Sequence, residues 1–301
     1  MKGFFIMNTV EEHWFNQFTY SLKRKKTVSS YRQTVELFLD FSHKDFVETE
    51  KSDVEQYINM LHKNKKAETS IQLYLSILSS FFNYLQENNV ISRECKNFFS
   101  LYKPLDTHAP IAVEKIPTIE EIDSLLEAAK QSSTEYYLII ALAIKCGLSE
   151  SEIYNLNIGD FFVDRNKNLG ITVICEGKKR YVKLPKDIAN IVNVYIKCSR
   201  AAEEKDSPLF VSVRKSRLSA RTIRYNIKRI NEKAGISPAI TLQDMRNFTA
   251  VSLLKSGVLP QDVATTLGIS VSWITRYARA VNELDMSMTD KSNLYIKQYG
   301  N

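Results

Sequence analysis

The sequence predicts a mainly helical protein of two domains, with one small β-hairpin in the second domain. Apolar residues recur at helical spacing through about the first hundred residues. This periodicity lapses in a segment that contains three prolines, Pro104, Pro110 and Pro117. Beyond the prolines, two short stretches typical of strands interrupt further helical patterns. We therefore expect domains at residues 1–103 and 118–301, joined by a linker at residues 104–117.

Two helices are predicted most clearly in the first domain. One begins near Thr27 and carries an apolar stripe formed by Val28, Tyr31, Val35 and Leu39. The other begins at Ala67, and its apolar stripe is formed by Ile71, Leu75, Leu78, Phe82 and Leu85. Its other sides also carry apolar residues, so we expect it at the centre of the domain, ending at Asn88 and Asn89.

A cluster of basic residues precedes each of these helices. Lys23, Arg24, Lys25 and Lys26 precede the first helix, and Lys63, Lys65 and Lys66 precede the second. The amino-terminal end of a helix carries a partial positive charge, so cations placed there favour contact with phosphate groups. We predict that both clusters contact the backbone of a nucleic acid, with solvated loops as the alternative.

The second domain is predicted to open with a capped helix. Thr118 followed by Glu121 forms a capping-box pattern, in which each side chain bonds the backbone N–H of the other residue. A second, strongly apolar helix covers residues 136–146. It is expected to end at Gly147, because glycine tolerates the left-handed backbone of a helix end.

A β-hairpin is predicted in the middle of the second domain. Residues 171–175 and 181–184 have strand composition, and they flank the five residues Glu-Gly-Lys-Lys-Arg at 176–180. We interpret these five residues as a basic turn.

A strongly basic helix is predicted after the hairpin. The stretch from Arg214 to Arg229 contains seven basic residues and no acidic one. Helical spacing places one set of cations on one face, namely Arg217, Arg221, Arg224 and Lys228. It places an apolar set on another face, namely Ile223, Ile227, Ile230 and Ala234. We expect the basic face, together with Arg214, to lie along a phosphate backbone, with a solvated basic face as the alternative.

Composition limits the class of partner and of site. The formal charge of +7 and the pI near 9.0 favour a polyanionic partner, because each phosphate that is neutralised releases condensed counterions. The four cysteines lack the paired short spacings of zinc or redox motifs, so we expect reduced thiols and no metal. Neither a signal peptide nor a membrane-spanning run is evident, so we expect a cytoplasmic protein with no membrane partner.

Taken in order along the chain, these segments resemble the tyrosine recombinase and phage integrase family, including its Xer-type members. TVSSYRQTVELFLDF and ETSIQLYLSILSSFFNYL resemble the helical, SAM-like core-binding domain of that family. ALAIKCGLSESEIYNLNIGDF, the basic hairpin, TLQDMRNFTAVSLLKSGV and TRYA follow in the order of its catalytic domain. The resemblance implies a C-shaped clamp around double-stranded DNA, with a homodimer or tetramer forming on the DNA.

The resemblance also implies a particular chemistry. A tyrosine hydroxyl attacks a DNA phosphodiester and forms a 3′-phosphotyrosyl bond, so no metal or other cofactor is required. Two arginines neutralise the phosphorane, a hairpin lysine protonates the leaving oxygen, and histidines or a tryptophan assist. Tyr277 matches the nucleophile and Arg246 matches the second arginine. Lys178 and Lys179 are the candidates for the lysine.

Four positions depart from the family pattern. Ser149 stands where the first arginine is expected, Glu176 where the lysine is expected, and Gln243 and Ile269 where the two histidines are expected. Ser149 retains a structural role as a helix cap with Glu152. Losing one preorganised donor costs roughly 10²- to 10³-fold in rate, and losing a phosphate-binding arginine roughly 10³- to 10⁵-fold. We therefore expect a DNA-binding accessory or regulatory factor whose strand cleavage is lost or strongly impaired.

An active recombinase with an altered site is the first alternative. It would use Tyr277 and Arg246 together with Lys178 or Lys179. For Arg246, pairing with a carboxylate such as Asp244 or with a helix end is the structural alternative to phosphate binding. For Tyr277, the structural alternative is packing in the core. A factor without cleavage could assemble with an active recombinase, and the tail beyond Met286 could dock in cis or in trans.

A helix-turn-helix transcription regulator is the second alternative. The sequence QDVATTLGISVSWITRYARA places Ala264, Gly268 and Ile274 where that motif requires a small residue, a turn glycine and a core aliphatic. In that case four side chains would face the DNA groove, namely Ser270, Ser272, Trp273 and Arg276.

Overall fold

A computed structural model describes residues 7, 9–20, 25–102, 110–175, 178–201 and 203–283. The chain divides into two compact units, Met1–Thr107 and His108–Asn301. The division falls within the predicted linker. The carboxy-terminal tail beyond Met286 lies outside the described residues.

In its described part, the first unit contains four α-helices, α1 (Thr9–Tyr20), α2 (Lys25–Ser42), α3 (Lys51–Lys63) and α4 (Glu68–Glu87). The two helices predicted from sequence are α2 and α4. Helix α4 contacts both α1 and α2, which confirms its expected central place. Aromatic side chains from several elements form much of the core, and Phe38 lies 5.0 Å from Phe99 and 5.2 Å from Tyr57 between ring centroids.

The described part of the second unit contains eight further α-helices: α5 (Ile119–Ser132), α6 (Thr134–Cys146), α7 (Glu150–Asn155), α8 (Lys186–Ser199), α9 (Ala220–Lys233), α10 (Leu242–Lys255), α11 (Pro260–Leu267) and α12 (Ala278–Glu283). Residues 137–144 of α6 are all buried, and α6 packs against α5, α8 and α10. Among the helices in the described ranges, none is long and apolar enough to cross a membrane.

The predicted caps of the second unit are confirmed. Thr118 Oγ1 accepts a hydrogen bond from the backbone N–H of Glu121 at 3.2 Å. Glu121 Oε2 accepts one from the backbone N–H of Thr118 at 2.8 Å. Helix α6, which follows α5, ends at Cys146. The next residue, Gly147, caps it with a left-handed φ of 59°.

The hairpin is present, but the predicted five-residue turn is wrong. Strands β1 (Phe161–Val163), β2 (Leu169–Cys175) and β3 (Lys178–Lys183) form an antiparallel sheet in the order β1-β2-β3. Cys175 pairs with Lys178, so only two residues separate β2 from β3. The basic residues suggested a turn, whereas the strand alternation continues through them. Strand β1 was not predicted.

The basic helix is also confirmed, with one correction. Ser219 Oγ accepts a hydrogen bond from the backbone N–H of Thr222 at 3.0 Å, so α9 begins at Ala220. Arg217 therefore lies before the helix and not on its basic face. The apolar face is as expected, since the three isoleucines at 223, 227 and 230 are buried.

Gly147→Ala should destabilise the second unit more than Gly257→Ala. Both glycines have a positive φ, 59° and 80°, which costs an L-residue about 1 kcal/mol. A Cβ on Gly147 would also lie 2.4 Å from Cδ2 of the buried Leu267, whereas a Cβ on Gly257 would meet nothing within 4 Å.

The measurement is the free energy of unfolding in urea, followed by the fluorescence of Trp273. A Trp14→Phe background leaves Trp273 as the reporter of the second unit, since the chain has two tryptophans. Equal losses in the two alanine variants would contradict the packing argument.

Candidate active site

The site is assembled from α7, α10, β3 and the segment after α11. Helix α10, which carries Arg246, is fixed at its start by a capping box between Thr241 and Asp244. Asp244 Oδ2 accepts hydrogen bonds from the N–H and the hydroxyl of Thr241, at 3.0 and 2.6 Å. The carboxylate of Asp244 thus serves the helix cap.

Arg246 is buried and bonds to two helix ends. Its Nη1 donates to the carbonyl oxygen of Gly147 at the end of α6, and its Nη2 donates to the carbonyl oxygen of Leu267 at the end of α11. Helix carboxy termini carry partial negative charge, which stabilises a guanidinium placed there. Arg246 thus has helix-end partners of the kind that the structural alternative expected, and it links three helices.

Glu152 is the buried carboxylate of the site. Its oxygens accept from Arg180 Nε at 3.0 Å and Nη2 at 2.9 Å, and its Oε2 lies 3.4 Å from Arg246 Nη1. Arg180 Nη1 donates to the carbonyl oxygen of Thr266. Burying these charges is tolerable because each is paired and hydrogen-bonded. Two guanidiniums thus share one carboxylate.

Sequence reasoning missed Arg180, which it placed in the hairpin turn. The available signal was the alternation of β3, in which Arg180 falls on the same face as the buried Val182. Lys179, on the opposite face, is exposed. For Lys178, the structure describes the backbone at the start of β3, and Glu176 lies outside the described residues.

Ser149 caps α7 as predicted. Its Oγ accepts from the backbone N–H of Glu152 at 3.3 Å, and Glu152 Oε2 accepts from the backbone N–H of Ser149 at 2.7 Å. The hydroxyl of Ser149 also donates to Glu152 Oε2 at 2.8 Å. The carboxylate of Glu152 therefore completes the cap of α7 and also contacts the guanidiniums of Arg180 and Arg246.

Tyr277 is buried, with 6% of its surface exposed. Its hydroxyl donates to Asn247 Oδ1 at 3.2 Å, and Gln243 Nε2 donates to the same oxygen at 3.0 Å. Burial raises the pKa of Tyr277 above its ordinary value of 10.0, and Arg246 and Arg276 partly oppose that rise. An amide oxygen is a very weak base, so this partner cannot activate the phenol.

Asn247 was not identified from the sequence. The sequence pattern that could have identified it is the spacing of four residues between Gln243 and Asn247, which places both side chains on one face of α10. Ile269 packs at the edge of the hydrophobic core and Gln243 is exposed. The two positions where the resemblance implies histidine thus hold an aliphatic side chain and an amide.

The predicted basic surfaces are only partly described. Lys65 and Lys66 are exposed in the turn before α4. Lys25 and Lys26 begin α2, but their side chains lie outside the described part, as do Lys23 and Arg24 entirely. DNA contact by these residues stays a prediction.

On α9, Arg221 and Lys228 are exposed and make no ion pair with a described residue. Arg224 is exposed as well, and it pairs with Glu150 of α7 at 3.0 Å. This ion pair partly neutralises the charge of Arg224. It was not predicted, because Glu150 lies 74 positions away in the sequence. Arg214 is exposed in the segment before α9.

Arg217 has an internal role. Its Nη1 donates to the carbonyl oxygens of Tyr154 and Leu156, at 2.8 and 3.1 Å, and its Nη2 donates to Asn157 Oδ1. Its guanidinium also lies over the ring of Tyr154. Arg217 therefore stabilises the end of α7, and this geometry gives its predicted DNA contact no support.

The segment proposed as a recognition helix is a 3₁₀ helix, Val271–Tyr277. Gly268 does form the turn, with φ of 67°, and Ile274 is buried. A 3₁₀ helix has three residues per turn, so it does not present side chains as a regular recognition α-helix does. The structural expectation of the helix-turn-helix alternative is therefore wrong.

Comparison with known proteins gives matches along most of the chain. Residues 117–283 match the model of the phage integrase family, and residues 12–91 match the N-terminal SAM-like domain of phage integrases. The tyrosine recombinase XerA of Thermococcus kodakarensis is 29% identical over 252 residues, which cover 81% of this chain and 83% of XerA. The tyrosine recombinase XerC of Halalkalibacterium halodurans is 24% identical over 292 residues, 87% of this chain and 90% of XerC.

Two solved structures share the fold. A lambda integrase dimer bound to a COC′ core site aligns with a TM-score of 0.67 at 15% identity, covering 89% of this chain and 95% of that one. The Tn1549 transposon integrase in complex with circular intermediate DNA also aligns with a TM-score of 0.67, at 16% identity, covering 88% of this chain and 92% of that one.

Glu152→Gln should cost the second unit about 3 kcal/mol of unfolding free energy, because it leaves two buried guanidiniums without a carboxylate. Glutamine preserves the shape and is compatible with the capping box. Glu150→Gln is the matched control, since it removes the half-buried partner of the exposed Arg224 on the same helix and should cost far less. Urea unfolding measures both variants, and similar small losses would refute the central role of Glu152.

Tyr277→Phe should change how stability depends on pH. Because the pKa of the folded Tyr277 is raised, its contribution is fully present below the ordinary value of 10.0 and is lost as the pH rises through the folded pKa. The stability of the wild type relative to Tyr277→Phe should therefore be constant below about pH 9 and fall as the pH rises above about 10. A difference that stays constant over this range would show that the phenol is not buried.

Proposed function

The chain belongs to the phage integrase family of tyrosine recombinases, and from this premise we propose that it binds double-stranded DNA as an accessory or regulatory factor. In this proposal, strand cleavage at Tyr277 is lost or strongly impaired. The observation that carries it is the state of the site, in which the protein itself occupies the hydrogen-bonding groups that would act on a phosphate.

The DNA-binding part of the proposal rests on the exposed face of α9. Arg221 and Lys228 lie two turns apart on this face, with Arg224 between them. Cations in this arrangement can contact successive phosphates along a backbone. The solved lambda and Tn1549 integrases of the same fold are bound to DNA, which supports the same class of partner here.

The loss of cleavage rests on the surroundings of Tyr277. Its hydroxyl donates to the amide oxygen of Asn247, and burial favours its protonated form. Ser149, Gln243 and Ile269 provide neither the guanidinium nor the imidazoles that the family chemistry uses. Arg246, the retained arginine, is bonded to two helix ends and lies near a buried carboxylate.

Such a factor would act through assembly. Lambda integrase has been solved on DNA as a dimer and as a tetramer. By analogy, this chain would form a homodimer or tetramer on paired sites, or join an active recombinase. In a mixed assembly, a subunit without cleavage would contribute DNA affinity and specificity.

An active recombinase is the second candidate, and one observation favours it. Burial raises the pKa of Tyr277, but Arg246 is close enough to oppose part of that rise, which supports a shared site for the two retained family residues. Activity would require Lys178 or Lys179 to serve as the proton donor.

Affinity for duplex DNA should fall steeply with added salt, because binding releases counterions. Arg221→Ala should weaken binding and reduce the slope of log Kd against log salt by about one. Arg221→Lys is the control, since it retains the charge and should retain the slope. Fluorescence anisotropy with labelled duplex measures both, and binding that ignores salt would refute the proposal.

A nicked suicide duplex should form no covalent adduct with either the wild type or Tyr277→Phe. Genomic fragments enriched by binding supply the DNA, and denaturing gels reveal any protein attached to it. An adduct that forms with the wild type but not with Tyr277→Phe would establish the active recombinase instead.

A further inference from the structure

Arg180 of β3 contacts the buried carboxylate at the centre of the site. Only 12% of its side chain is exposed, and its guanidinium makes a two-pronged contact with Glu152. Its third contact, to the carbonyl oxygen of Thr266, is beside the Leu267 carbonyl that Arg246 uses. The two guanidiniums therefore share one carboxylate and one helix end.

The Arg180 side chain passes close to Gly268, where the absence of a Cβ leaves room for it. A Cβ at this residue would lie 2.7 Å from Arg180 Cδ and 2.8 Å from Arg180 Nε. Any larger residue would push the arginine away from Glu152. Gly268 thus serves both the left-handed end of α11, with φ of 67°, and the close passage of Arg180.

Ser149 contacts the same carboxylate. Its hydroxyl and Arg180 Nη2 both donate to Glu152 Oε2, at 2.8 and 2.9 Å. A serine side chain is short, so a guanidinium that arrives from β3 has room beside it. An arginine at position 149 would have to enter the same space and would face the like charge of Arg180.

We propose that Arg180 supplies from β3 the guanidinium that position 149 lacks, and that it is a positioning residue for Glu152 and Arg246. The inference rests on the family membership that also underlies the proposed function. It concerns where the positive charge of the site comes from, and it does not depend on DNA binding or on cleavage.

The test is a double-mutant cycle of Ser149→Arg and Arg180→Ser in the full chain, with the Trp14→Phe background as reporter. Each single variant should be less stable than the wild type: the first crowds two like charges, and the second strips Glu152 of its partner. Combined, they return one arginine to the site. The double variant should exceed the additive expectation by about tenfold or more in the equilibrium constant of unfolding.

Ser149→Ala combined with Arg180→Ser is the control, because it removes the cap without adding a guanidinium and should show no such rescue. If Arg180→Ser does not fold, folding of the double variant is itself the predicted rescue. Additive losses, or a double variant that stays unfolded, would overturn the proposal. Since no DNA is used, the result stands apart from that of the binding experiment.

Gly268→Ala provides a second measurement. In the wild type it should cost both backbone strain and the displacement of Arg180, whereas in the Arg180→Ser background only the strain remains. The loss on Gly268→Ala should therefore be several-fold smaller, in the equilibrium constant of unfolding, without Arg180. Equal losses in the two backgrounds would show that Arg180 does not pass over Gly268.

Discussion

The buried carboxylate of Glu152 is the interaction on which the site depends. It completes the cap of α7, holds Arg180 of β3 and lies within 3.4 Å of Arg246 of α10. A buried guanidinium requires a nearby negative charge, and here two guanidiniums draw on one carboxylate and two helix ends. The sheet, α7, α10 and α11 are thereby connected through charge as well as through apolar packing.

Phosphate chemistry and DNA binding, the two functions of the family, require different groups of residues. Phosphate chemistry needs donors that are free to meet charge developing on a phosphate. In this site the guanidiniums of Arg180 and Arg246 donate to protein oxygens, and the phenol of Tyr277 donates to an amide oxygen. In the proposed function, DNA affinity depends on a different surface, the exposed face of α9, which lies apart from positions 149, 243 and 269.

Local features were predictable from the sequence, and features set by tertiary contact were not. The caps at Thr118 and Ser149 involve residues three positions apart, so the sequence alone reveals them. Arg180 meets Glu152 across 28 positions and Arg246 meets Gly147 across 99, and no local pattern specifies such partners. Arg217 fits the helical spacing of its neighbours, yet Ser219 starts the helix after it. The predicted basic turn is wrong because the strand alternation of β3 continues through its charged residues.

The Nε–H signal of Arg180 in nitrogen-resolved NMR, assigned by its loss in Arg180→Ser, shows directly whether the guanidinium stays on Glu152. This N–H donates to Glu152 Oε1 at 3.0 Å. If the protein itself satisfies the site, the signal should exchange slowly with solvent and should stay unchanged when saturating duplex DNA binds. A signal that moves or exchanges rapidly once DNA is bound would mean that the guanidinium turns to a phosphate, and would contradict the account.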